Sequence, residues 1–177
     1  MSDYSDHVLT DVPRRSRSLR WRAAGYVLLP LFAILFQVYF PRFLSYLSYL
    51  ELPLLVTVYF SLTRRNQVVG ILTGAAIGLA QDSLSHQPVG LFGIVKTLVG
   101  YFAASVSGRF EVGHPLVQFI LILFFFVFHQ FFFWVLSRAL LGQQLEFRVT
   151  ETLVLGLLNG AVAVALFAFL DRMKERA

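Results

Sequence analysis

Residues 68–107 read VVGILTGAAIGLAQDSLSHQPVGLFGIVKTLVGYFAASVS. Two apolar runs flank a polar stretch, Gln81 to Pro88, and one aspartate and one lysine are the only charges among them. The first run, Val68 to Ala80, would make about 20 Å of helix, short against a hydrocarbon thickness of about 30 Å. It is either a short span or one continued by Gln81 to Leu84. The second begins at Pro88, a favourable first-turn residue, and runs to about Ser107 with Lys96 inside it. Small residues recur at every fourth position: Gly70, Gly74 and Gly78 on the first run, and Gly100, Ala104 and Gly108 on the second. Lipid gives one span no hydrophobic reason to leave it for another, so spans associate where small side chains let backbones approach. These stripes, with Gly156 and Gly160 further along, are therefore packing surfaces within the chain or a docking face for a partner helix.

The pattern extends over the whole chain. Of 177 residues, 57% are hydrophobic, 16% aromatic and 14% charged, where an ordinary soluble domain carries about 25% charge. Of the 25 charged side chains, eight lie in residues 1–22 and five in 171–177, which leaves 12 for the 148 residues between. Six spans of about 20 residues would occupy about 120 of those 148 and leave five or six residues per loop. No soluble domain fits in that remainder. The absence of cysteine removes disulfides, thiolate chemistry and cysteine-held metal sites.

The expected organisation is an all-α membrane protein with six transmembrane helices. A basic N-terminal segment, residues 1–22, precedes a membrane domain, 23–170, with spans at about 23–40, 44–62, 67–84, 88–107, 115–136 and 152–170. A tail follows at 171–177. The arginine-rich start resembles a signal-peptide n-region, but no small-x-small cleavage site follows, so the first run reads as a retained span. Span 2 carries Glu51 and Pro53 in its first half. A start near Leu52 would leave Phe43 to Leu50 at the interface. Alternating the spans puts 11 basic residues on the side of the termini and three, Arg42, Arg138 and Arg148, on the other. Both termini are expected on the cytoplasmic side. The net charge of +5 is then a topology signal and not a sign of nucleic-acid binding, with anionic lipid headgroups as a secondary partner of the N-terminal arginines.

A lone ammonium inside a span costs on the order of 3 kcal/mol or more, so Lys96, roughly 12 Å into its helix, needs a partner. The expectation is that Lys96 faces the interior and approaches Asp82, Gln81 or a carbonyl freed at the end of span 3. Snorkelling to the interface is the alternative. His129 and Gln130 point about 100° apart near the middle of span 5, so at least one faces protein. His129 is expected to bond a neighbour's carbonyl or Asn159, with proton or ligand handling as the other possibility. Asn159, between Gly156 and Gly160, reads as interhelical glue. No nucleophile elbow, zinc motif, phosphate loop or paired carboxylates appear. Asp82, Ser83, Ser85 and His86 on one short turn suit helix capping better than a triad, and a metal site there would need Glu51 as a further ligand. No catalytic, cofactor or metal site is expected.

The glycine-rich run ending in Gln81-Asp82-Ser83-Leu84-Ser85, followed by Pro88-Val89-Gly90-Leu91-Phe92-Gly93-Ile94-Val95-Lys96-Thr97-Leu98-Val99-Gly100-Tyr101, resembles the signature of the MreD family of rod shape-determining proteins. Arg109 and Glu111 after span 4 agree with it, and the longer basic N-terminus departs from it. The resemblance implies a non-enzymatic role in the machinery that directs lateral-wall peptidoglycan synthesis. It implies direct binding of MreC and, through it, links to MreB, RodA and a class B penicillin-binding protein. It also implies a fold similar to the substrate-binding subunits of energy-coupling-factor transporters, and a vitamin-binding subunit is the alternative function. That alternative predicts a polar cavity near Asp82, His86 and Lys96, whereas a scaffold predicts a filled centre.

Overall fold

The computed structural model describes residues 15–43, 48–85, 88 and 90–176, and these contain six α-helices. They are α1 (Arg15–Tyr39), α2 (Leu52–Arg64), α3 (Gln67–Ser85), α4 (Leu91–Val106), α5 (Pro115–Leu141) and α6 (Val149–Arg176). Residues 1–14 of the basic segment, His86 and Val89 lie outside the described residues. Helices α3, α5 and α6 are long and apolar enough to cross a membrane, and Val27–Tyr39, α2 and α4 are shorter apolar helices. The chain is a membrane protein by this composition and architecture.

The middle of the bundle is α2. Every residue from Pro53 to Leu62 is buried, as befits a helix that is apolar all round, and α2 touches all five other helices. At 13 residues it is about 20 Å long, so α2 is the short element. Helix α3, at 19 residues, includes the Gln81–Leu84 continuation. Helix α2 starts late because Pro53 favours the first helical turn and because the chain before it is tied to α6. It stops at Arg65, whose φ of 52° turns the backbone left-handed and sends its amide back to the Ser61 carbonyl.

Helix α4 begins at Leu91 and not at Pro88, which corrects the reading of the proline. Gly90 has φ +104°, a conformation open to glycine at little cost, and it breaks the helical path before Leu91. Helix α5 opens as its sequence suggests, with Pro115 in the first turn and the His114 side chain accepting from the Leu116 amide. At 27 residues it is about 40 Å long and continues past the hydrocarbon edge to Gly142. Helix α6 likewise gains a turn at its start and runs on through its charged end.

Two antiparallel seams join the helices in pairs. Along α3 and α4, Gly70 faces Gly100, Gly74 faces Lys96 and Gly78 faces Phe92. Along α5 and α6, Gly156 faces Leu123 and Phe126, and Gly160 faces Phe119. All three small-residue stripes thus lie within the chain. Ala104 is buried against Gly70, while Gly108 follows the end of α4 in open space and does not extend its stripe. Between the seams lies a core of Leu54, Leu55, Val58, Val99, Phe125, Phe126 and Phe167, among others. Helices α2 and α6 run parallel and meet through Tyr59, whose hydroxyl donates to Asp171 at 2.8 Å and whose ring lies 5.1 Å from that of Phe167.

Candidate functional site

The buried polar groups collect where α3, α4 and α5 converge and where the chain enters α2. Asp82 is 1% exposed, and both of its oxygens point at the start of α4. Oδ2 accepts from the amides of Gly90 at 2.9 Å and Gly93 at 3.0 Å, and Oδ1 accepts from Phe92 at 3.0 Å. A carboxylate on one helix thus caps the next one. The first amides of a helix have no partner within it and carry partial positive charge, and Gly90 has no side chain to serve as a cap. Gly93 packs closely here, since a Cβ there would meet the Leu79 side chain at 2.9 Å.

Lys96 is fully buried and does not snorkel. Its hydrogen-bond partner is not Asp82, as the sequence suggested, but His129, with Nζ 3.2 Å from Nε2. The ammonium also stands 4.5 Å from the centre of the Phe92 ring, within cation–π range. The correction has a simple cause: the free amides at the head of α4 already engage the Asp82 oxygens, and Lys96 lies over a helical turn further on, level with α5. Phe92 and His129 stack nearly parallel, at 6.0 Å and 4°, so Phe92 bridges the lysine and the histidine.

With Lys96 as an ammonium donor, His129 Nε2 accepts and the ring proton sits on Nδ1. That nitrogen is buried without a hydrogen-bond partner among the described residues, as are Glu51 Oε2 and Gln81 Oε1. Asn159 is fully buried and bonds not His129 but the backbone at the head of α2, whose N-cap is Glu51. Its amide oxygen accepts from the Glu51 amide at 2.9 Å, and its nitrogen donates to the carbonyls of Tyr49 and Leu155. It therefore ties the irregular segment ahead of α2 to α6. Non-helical backbone at membrane depth is tolerated where protein satisfies it in this way. Ser83 and Ser85 bond back to the carbonyls of Leu79 and Gln81, as helix-end hydroxyls do. Gln130 points elsewhere and lines a cleft between α5 and α6.

The sequence singled out Asp82, Lys96, His129 and Asn159, and the structure brings the first three onto one seam. It missed the tether at Tyr49 and Glu51. Pro53, two positions inside α2, was the available signal, because a first-turn proline implies that the preceding backbone bonds elsewhere.

The family model described as rod shape-determining protein MreD matches residues 20–173. The chain belongs to the MreD family. The match takes in all of the seam just described, so the Asp82 cap and the Lys96–His129 pair are features of an MreD-family chain in a rod shape-determining role. Comparison with curated proteins and with solved structures gives no match.

Proposed function

We propose that this MreD-family chain is an integral scaffold of the bacterial elongation machinery. It sits in the inner membrane with both termini in the cytoplasm, binds MreC directly and so supports lateral-wall peptidoglycan synthesis. Through MreC it is linked to MreB, RodA and a class B penicillin-binding protein, and it works without enzymatic chemistry or cofactor. The observation that carries this reading is the family match over residues 20–173. Two structural facts support it. Asp82 engages backbone amides and Lys96 engages His129, and the centre of the bundle is filled by apolar side chains. Contact with MreC is then left to the rim and to the exposed apolar faces, such as Leu28, Leu31 and Phe32 of α1.

The vitamin-binding alternative requires an accessible polar cavity around Asp82 and Lys96, whereas Lys96 has no exposed surface. Co-purification from cells expressing the chain with and without MreC separates the two readings. A stable complex and no retained small ligand is the expected result. A chain that ignores MreC and retains a vitamin-sized ligand would overturn it. Reporter fusions at residue 177 and in the 142–148 loop should report opposite sides of the membrane.

A further inference from the structure

A cleft of about 610 Å³ opens between the far end of α5 and the first two turns of α6, beneath the 142–148 connection. Nothing in the scaffold reading uses it. Its volume falls within the range of small-molecule sites, about 300–1,000 Å³. One wall is aromatic: Trp134 lies 5.8 Å from Phe147, and its indole nitrogen donates to the Leu145 carbonyl at 2.8 Å, which holds the connection against α5. The rim is charged and carries both signs. Arg148 pairs with Glu151 at 3.2 Å, and Glu146 makes no ion pair among the described residues.

The position of the cleft narrows its occupant. The 27 residues of α5 exceed the roughly 30 Å hydrocarbon layer by about 10 Å, so its last turns reach the headgroup layer. Trp134, with the Arg138 guanidinium 5.7 Å from its ring, has the character of an interfacial anchor. Phe131 on α5 lies against Trp134 and Phe147 and is exposed, as are Val154 and Leu158 on α6, apolar surface suited to acyl chains. A ligand that fits must carry an amine for Glu146 and the aromatic wall, a phosphate for Arg148, and hydrocarbon below. We propose that the cleft is a binding site for a zwitterionic phospholipid, its ammonium directed to Glu146 and its phosphate to Arg148. Glu146, without an ion pair among the described residues, favours a headgroup that carries an amine over one that does not.

The test uses the full chain with Trp21→Phe, which leaves Trp134 as the sole tryptophan, in vesicles of equimolar phosphatidylethanolamine and phosphatidylglycerol. The acyl chains of one lipid or the other are brominated near the carboxyl end, and quenching of Trp134 is measured. Phosphatidylethanolamine should occupy the cleft about threefold over phosphatidylglycerol, the size of one exposed charge interaction with a cation–π contribution. Glu146→Gln should bring the two to parity while Trp134 emission without brominated lipid and helical circular dichroism stay at wild-type values, because Glu146 is exposed. Equal quenching by the two lipids in the parent protein would overturn the proposal. So would a preference that Glu146→Gln does not move, or quenching by neither lipid, which would mean that a protein segment closes the cleft.

Discussion

The α3–α4 and α5–α6 seams both place glycines every fourth residue, yet they close in different ways. On α3 a Cβ at Gly70, Gly74 or Gly78 would run into the main-chain carbonyls of Gly100, Lys96 and Phe92. On α6 the nearest atoms to such a Cβ are side chains, Leu123 Cδ1 at 2.7 Å from Gly156 and the Phe119 ring at 3.0 Å from Gly160. The first seam is backbone on backbone and is locked at one end by the Asp82 cap. The second is glycine on side chain and opens at one end into the lipid-level cleft. Identical spacing therefore does not mean identical tolerance, because a main-chain carbonyl has nowhere to go and a leucine methyl does.

The largest test of that contrast is the cap. Asp82→Ala leaves the amides of Gly90, Phe92 and Gly93 without their acceptor, and losing charge-assisted bonds to buried donors should cost about 3–5 kcal/mol. Failure to accumulate in membranes, or a midpoint of thermal unfolding in detergent well below wild type, is the expected result. Gly74→Ala should follow at about 2–3 kcal/mol, the cost of overpacking against atoms that cannot move aside. Its counterpart Gly156→Ala should cost less than about 1 kcal/mol, since the Leu123 side chain can rotate. Equal losses in these two variants would erase the distinction between the seams.

The Lys96–His129 pair sharpens the same comparison, because it couples the locked seam to α5. Lys96→Met alone should destabilise by about 1–2 kcal/mol, as it leaves His129 Nε2 without a partner. Adding His129→Leu should recover part of that loss, since removing both partners of a buried polar pair is milder than removing one. Strictly additive losses in the double-mutant cycle would show that the pair does not act as a unit. Asn159→Ala should cost about 1–2 kcal/mol at most. It should act locally, by raising hydrogen exchange at the Glu51 amide and leaving α3 and α4 as protected as before.

Much of this was legible in the sequence. The apolar runs and the scarcity of charge between residues 23 and 170 marked a membrane protein, the glycine spacing marked the helix contacts, and Asp82 and Lys96 stood out as charges where lipid tolerates few. Their partners were not legible. Asp82 is the acid nearest to Lys96 in sequence, which suggested a pair. The competing demand came from the bare head of α4, where Gly90 offers no cap and three amides require an acceptor. The Pro88-x-Gly90-x-x-Gly93 pattern hinted at it: a helix opening without Ser, Thr, Asp or Asn must find its cap elsewhere. The α5–α6 cleft left no comparable trace, because Gln130 and Trp134 on α5 meet Glu146 and Arg148 only when the connection folds back onto α5.

Sequence alone determined the class, the number of helices and the small faces through which they pack. These depend on hydropathy over about 20 residues and on side-chain volume at fixed helical spacing, both local quantities. Tertiary structure alone decided which glycines meet backbone and which meet side chains, that Asp82 serves another helix's amides, and that Lys96 turns to His129. Those outcomes depend on the relative height and rotation of neighbouring helices, which many side chains set together and no single motif encodes.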